Sequence, residues 1–506
     1  PFVVKLLLAL ALGLAVAWAT RAGATPAELY RVPAWLVART GAPAPVVAPD
    51  RCPTGADTVV TSLGAYGYTA TDFDLGGPFP VVFGRYHGGF VAQAAAFWGF
   101  YNPLDAPLGV NWLHSYQYLL GRANATNVGV YYIQGKVIFF QKTGGVWQMV
   151  QPGVGFVYKG TLYQLVETGT KLEMLDPENR VILRFEFASL PDGAVTAVES
   201  IRDRNGNTHA LAYNPNGTLA TVSDGLGRIL TFTHGVTFGR TRLMSVRDPA
   251  GRQWGYSYSN AVHSSAINPR GRLDAGYAHD AATRVLRISR HLGNVVLTNT
   301  YDGAGKCLTQ TDGRGNLWSF AYGANQTTVT DPGGHTRTDH FGAELRHTGF
   351  TDEAGNRVDM AYDASHRRTA ITDRLGDTST WSYHAPSGFV ATRTDAEGNS
   401  WAYSYVAQLQ DGFTFHELSR IDHPDGSFES FTRDARGNVL SHTDRGGETW
   451  SYTYNGRGQV FTATNPAGGV HTFTYNASGN LASHQDPAGN TTSYTYDGRG
   501  NMLTQT

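Results

Sequence analysis

From about Ile201 to Thr506, apolar and polar residues alternate in short runs that break off at regular intervals. In Thr491-Thr492-Ser493-Tyr494-Thr495-Tyr496 the two tyrosines share one face and the threonines mostly take the other. The same aromatic pair recurs at Tyr256/Tyr258, Phe320/Tyr322, Trp381/Tyr383, Tyr403/Tyr405, Tyr452/Tyr454 and Phe473/Tyr475. A period of two predicts strands, each about 20 Å long. No segment sustains an apolar period of 3.6, so few helices are expected.

What interrupts the runs is as regular as the runs themselves. Gly447, Gly468 and Gly489 stand 21 residues apart, and so do Gly437, Gly458, Gly479 and Gly500. A fixed period of this length marks a repeat array. The first set closes turns of the form Asp-x-x-Gly: Asp312 with Gly315, Asp352 with Gly355, Asp486 with Gly489. The second closes Tyr-Asp turns such as Tyr496-Asp497-Gly498-Arg499-Gly500. The Asp side chain accepts backbone N–H groups of its own turn, and Gly supplies the positive φ that ends a type I turn with a bulge. Asn268 and Asn465 can cap in the same way. Arg290 cannot, which predicts a looser turn, and His423 at the first position predicts a turn one residue longer. The interval from Gly398 to Gly426 is 28 residues and predicts a protruding loop around Val406–Phe415.

Two strands and two turns per unit give an antiparallel hairpin ribbon, with about fourteen units between Ile201 and Thr506. Its aromatic stripe should stack into a continuous buried ladder, and so long a ribbon should twist and coil. The fold class is therefore all-β.

Upstream the beat is absent. Residues 58–190 hold short β-branched and aromatic segments: Val130–Phe140, Trp147–Val150, Gly155–Tyr158, Leu162–Glu167 and Val181–Phe187. They predict a small β-rich region ahead of a repeat domain at 191–506. Residues 25–57 are rich in Pro and Ala and predict an extended linker, with a short helix possible over Arg31–Arg39. At residues 1–24, Lys5, the apolar run Leu6–Ala19 and Ala22-Gly23-Ala24 read as a cleaved signal peptide for export. That run is short for a membrane span, so no span is expected after cleavage. The start without Met and the stop inside a repeat suggest a fragment of a longer reading frame. Cys52 and Cys307, the two cysteines, make no disulfide framework.

A net charge of −1 gives no electrostatic reason to expect nucleic acid as a partner. Zinc, phosphate-loop and serine-elbow motifs are missing, so neither enzymatic activity nor a cofactor is expected. Asp72 and Asp74 could share a strand face as a carboxylate pair, although a structural turn is the better reading. Asp203-Arg204-Asn205-Gly206-Asn207 faintly resembles a calcium loop but reads better as a repeat turn.

The repeating units resemble the YD repeats of RHS-type proteins, found in bacterial RHS elements, wall-associated proteins, toxin-complex shells and teneurins. The matching residues include Tyr301-Asp302-Gly303-Ala304-Gly305, Tyr362-Asp363 and Tyr496-Asp497-Gly498-Arg499-Gly500. A second stretch is similar to the region that enters such repeats: Asp72 and Asp74 near Gly76-Gly77-Pro78, then Arg85-Tyr86, then Gly109, Trp112 and His114. Here His87 and Asn111 stand where the family pattern has an aromatic residue and a second glycine. The resemblance implies a ribbon that spirals toward a hollow shell around a C-terminal toxin or effector. The partners it implies are that cargo domain and a secretion-system component. An exported protein that binds cell-surface glycans is the alternative.

Overall fold

The computed structural model describes residues 59–60, 65–88, 105–131, 137–150, 162–342, 346–497 and 500–506. The predicted leader, the linker, Cys52 and the segment Gly155–Tyr158 lie outside these residues.

The alternating runs are strands. From Gln164–Thr168 onward the strands pair antiparallel with their neighbours in chain order, within a sheet of 36 strands among the described residues. Thr491–Tyr496, for example, pairs with Leu481–Gln485 through Ser483↔Ser493 and with Met502–Gln505 through Thr495↔Thr504. The only helical element among the described residues is a 3₁₀ turn at His291–Gly293. On the face opposite the aromatic pairs, hydroxyls meet across strands: Thr453 with Thr462 at 2.6 Å, Thr474 with Ser483 at 2.7 Å and Thr495 with Thr504 at 2.7 Å. Such cross-strand pairs explain the abundance of threonine on that face.

Val195–Asp203 is the branch point of the sheet. It pairs from Val198 to Asp203 with Val181–Glu186, through Thr196↔Leu120 with Leu119–Asn124, and through Ile201↔His209 with Thr208–Tyr213. The predicted strand Val130–Phe140 is in fact the ends of two antiparallel strands, Asn127–Tyr131 and Val137–Thr143, in register Tyr131↔Val137.

A separate four-stranded sheet is made of Val59–Val60, Ala65–Asp74, Val82–Gly88 and Trp112–His114. It lies on the aromatic face of the early ribbon, with Phe83 against Phe232 and Tyr68 against Tyr277, ring centroids 5.4 and 5.6 Å apart. One core cluster runs from Val59 to Val329. Beyond it the aromatic pairs at Trp381/Tyr383, Tyr452/Tyr454 and Phe473/Tyr475 are half-buried. The expected continuous buried ladder is thus interrupted: it is buried where the second sheet covers the early ribbon, and again at Phe431, which packs with Leu418, Ile421 and Val439.

The insertion near residue 410 is no protruding loop. Ser400–Gln410 and Phe413–Asp422 form a lengthened hairpin. Phe413 and Phe415 are buried against Leu175 and Ile182, far earlier in the chain. The ribbon therefore returns on itself. Its turn at 203–207 touches the turns at 434–438 and 455–459: Asn205 and Asn438 exchange amide hydrogen bonds of 3.1 and 2.9 Å, and Asn207 donates to the Arg457 carbonyl at 2.9 Å. Residues 233 and 250 positions apart thus meet along one seam.

Candidate functional site

The repeat turns have one construction. Asp312 Oδ1 accepts the N–H groups of Arg314 and Asn316 at 2.8 and 2.9 Å, and Oδ2 accepts the Asn316 amide at 2.8 Å. The Gly315 N–H reaches the Asp312 carbonyl at 3.1 Å, with Gly315 at φ 86°. Hydrogen bonding by Asn316 holds the Asp312 carboxyl below its usual range, and Asn490 does the same for Asp486. Asp352 with Gly355, Asp486 with Gly489 and Asp497 with Gly500 repeat the arrangement, the glycines at φ 83°, 90° and 81°. The asparagine at the fifth position completes the cap. Its signal, Asp-x-x-Gly-Asn, stands in the sequence, but its role shows only in the structure.

Two turn expectations are corrected. The His423 turn is not longer: His423 N–H to Ser427 carbonyl and Gly426 N–H to His423 carbonyl measure 2.9 and 3.0 Å, the common pattern. At Arg290 the same two backbone bonds close at 2.8 and 3.0 Å without a side-chain cap, so the turn is not open. The departure is local, with Leu292 at φ 65° beside Gly293. The backbone bonds define these turns, and the side-chain cap is added to them.

The tyrosine that ends the strand ahead of the second turn in several units has a further role that periodicity did not reveal. Tyr322, Tyr362, Tyr454 and Tyr475 donate their hydroxyls to the carbonyls of Cys307, His347, Val439 and Val460, 15 residues earlier, at 2.6 to 2.8 Å. Arg433 takes this place once, with Nε 3.4 Å from the Leu418 carbonyl. The Tyr496 hydroxyl is buried with no hydrogen-bond partner among the described residues.

The predicted entry residues converge between the two sheets. A bulge falls between Thr71 and Phe73, and Asp72 occupies it. Its carboxylate and the Arg85 guanidinium, both side chains fully buried, form a two-pronged pair at 2.7 and 2.8 Å. The Tyr256 hydroxyl donates to Asp72 at 2.7 Å, and Arg85 donates to the Tyr277 hydroxyl at 2.6 Å. Burial alone would lower the Arg85 pKa, but Tyr277, Asp72 and Tyr256 together hold it raised. Asp74 is exposed and accepts the Gly76 N–H at 2.8 Å, which closes a turn. The two carboxylates therefore do not act as a pair.

Trp112 is fully buried, its ring centroid 4.6 Å from Tyr277 and 4.9 Å from His263. Burial and His234 push His114 down to about 3, burial and His279 push His87 down to about 3, and burial raises the Tyr86 phenol. Gly109 stands at φ 102°, and a Cβ there would lie 2.9 Å from the His263 nitrogen. Asn111, in the place of a glycine, adopts φ 63°, a region that asparagine tolerates better than most residues.

At the seam, the buried Glu417 of the long hairpin meets three arginines. Arg180 lies at 2.6 Å, Arg433 at 3.5 Å, and Arg204 donates to it while its guanidinium stacks 3.9 Å from the Phe415 ring. A cavity of about 340 Å³ opens beside them.

The RHS repeat family model matches residues 433–470 and 475–506. The chain carries RHS repeats. Most turns upstream, from Asp203, have the same backbone bonds as the turns inside the matched RHS segments, while those at Gly323 and His384 close differently. No curated protein matches the chain. Among solved structures it is similar to TcdB2-TccC3-Cdc42, with 12% identity, 86% of this chain and 27% of the other covered, and a TM-score of 0.44. It is also similar to the Tc holotoxin pore of Photorhabdus luminescens, with 14% identity, coverage of 83% and 21%, and a TM-score of 0.30. The chain spans about a quarter of the length of these chains. Among the described residues no cluster of three His, Cys, Asp or Glu could hold a metal ion. The RHS turns use their carboxylates to hold backbone, which is scaffold chemistry.

Proposed function

We propose that this chain is a section of the wall of an RHS shell, non-enzymatic, that encloses or presents an effector domain of the same polypeptide. The observation that carries this reading is the seam. One edge of the early ribbon, at 203–207, seats against the opposite edge of the later ribbon, at 434–459. A ribbon whose two rows of turns meet after one circuit builds a continuous wall. The apolar leader at residues 1–24 fits a protein that is exported before it acts.

The test is protease protection of the full-length protein. A downstream domain that resists digestion in the intact protein, and is cut once the seam is opened by denaturant, supports the reading. A downstream domain digested at the same rate in both states overturns it. The half-buried aromatic pairs from Trp381 onward favour a second reading, an exported protein that binds cell-surface glycans through this face. Saturable binding on a glycan array, lost in Tyr452→Ala, would select it.

A further inference from the structure

The seam cavity has a charge imbalance that the shell reading does not use. Five arginines line it: Arg180, Arg204, Arg433, Arg436 and Arg457. The nearby carboxylates are fewer and mostly committed. Asp203 accepts the N–H groups of Asn205 and Asn207 and the Asn207 amide, all within its own turn. Asp434 accepts the N–H groups of Arg436 and Asn438 and the Asn438 amide in the same way. Glu417 is left to face Arg180, Arg204 and Arg433. Partly buried cations in excess of their anions are costly, and a bound anion offsets that cost.

The donors are not all used. Arg204 spends four of its five N–H donors on Gln408, Gln410, Glu417 and the Ala435 carbonyl. Arg436, by contrast, makes one side-chain bond, to the Gly456 carbonyl at 3.0 Å. Arg180 and Arg457 are exposed at the rim. The Tyr496 ring also lines the cavity, and its hydroxyl is the one without a partner. In the preceding RHS repeats the corresponding hydroxyls are spent on carbonyls.

We propose that this cavity binds a small anion, a phosphate group either free or carried on a sugar-sized body, held by Arg180, Arg436, Arg457 and the Tyr496 hydroxyl. Guanidinium forks suit phosphate oxygens, and the tyrosine rings beside them suit an attached sugar. A volume of about 340 Å³ is at the small end of ligand pockets, which fits a monosaccharide phosphate. Because the two edges of the ribbon supply different ligating residues, occupancy ties the seam together. The inference stands whether or not the wall encloses a cargo.

The test is isothermal titration of the full chain with inorganic phosphate, a hexose phosphate and the uncharged hexose. The expected result is one saturable site for both phosphates and none for the hexose. Equal affinities for the two phosphates would mark the free anion as ligand, while at least ten-fold tighter binding of the hexose phosphate would mark the sugar-borne one. The double variant Arg436→Gln/Arg457→Gln, at two exposed positions that make no ion pair with Glu417, should lose at least ten-fold in affinity while its unliganded melting temperature stays near the parent's. Tyr496→Phe should lose a few-fold. Non-saturating heats, equal binding by the double variant, or equal binding of the uncharged hexose would overturn the proposal.

Discussion

Tyr256/Tyr258 and Tyr452/Tyr454 occupy the same positions in the repeat, yet they live in different surroundings. In the early pair Tyr256 is buried, bonded to Asp72, and Tyr258 reaches the Pro107 and Leu243 carbonyls. In the late pair both rings are half-buried, and Tyr454 has only the Val439 carbonyl. The repeat makes the strand and the tyrosine bond in both cases. The cover over the aromatic face, present on the early ribbon and absent from the later repeats, decides how much the rings contribute. The turns show the same contrast. Gly479 and Gly489 have φ of 78° and 90°, but a Cβ at Gly479 would lie 2.4 Å from the Pro78 ring, while a Cβ at Gly489 would meet nothing within 4 Å.

The sharpest way to break this contrast is acid. His87 and His114 are held to about 3, and His209 and His279 to about 4, first by burial in every case. Their folded pKa values lie below the unfolded value near 6.5, so the unfolded chain takes up more protons as the pH falls. Their stability contribution is complete above about 6.5 and is lost progressively toward pH 4 and below. At pH 5 each costs about 2 kcal/mol. Thermal melts should fall steeply between pH 7 and 5, and hydrogen exchange should quicken in the covered half before the later repeats. A flat melting profile over that range would refute the burial account.

At the seam, Glu417→Gln removes the carboxylate facing three arginines and should cost about 3 kcal/mol, read by chemical denaturation. An unchanged midpoint would show that the seam does not depend on this residue. Next comes the glycine comparison. Gly489→Ala should cost about 1 kcal/mol for its positive φ alone. Gly479→Ala should cost about 2 to 3 kcal/mol, because the proline ring must also move. Equal losses would mean that the contact between Gly479 and Pro78 does not bear on stability. The smallest effect is Tyr454→Phe, about 1 kcal/mol for one hydroxyl bond. Tyr258→Phe should exceed it, since that hydroxyl faces two carbonyls.

Much of this architecture was legible in the chain itself. The alternation placed the strands, and the Asp-x-x-Gly spacing placed turns whose glycines all have positive φ, from Gly206 to Gly489. Arg85, Trp112 and His114 stand near one another, through the shared neighbours Tyr256, Tyr277 and Phe83. The insertion near residue 410 was visible only as a longer interval. Its outcome depended on Phe413 and Phe415 meeting Leu175 and Ile182, a contact between segments with no shared local pattern. The turns at Arg290 and His423 misled because a weak cap was read as a weak turn, although the backbone bonds persist without it.

The sequence by itself determined the ribbon: strand, turn, register and the face on which the aromatics stand. These follow from contacts within one unit, where a period of two and a glycine at positive φ leave few alternatives. Only the tertiary structure decided which repeats are covered, where the two edges meet, and that five arginines line one cavity. Those outcomes join residues more than 200 positions apart in units of nearly the same sequence. A repeat that looks alike everywhere carries little local sign of which copy it will touch, so the pairing is settled by the pitch of the coiled ribbon and the shape of what lies on its face.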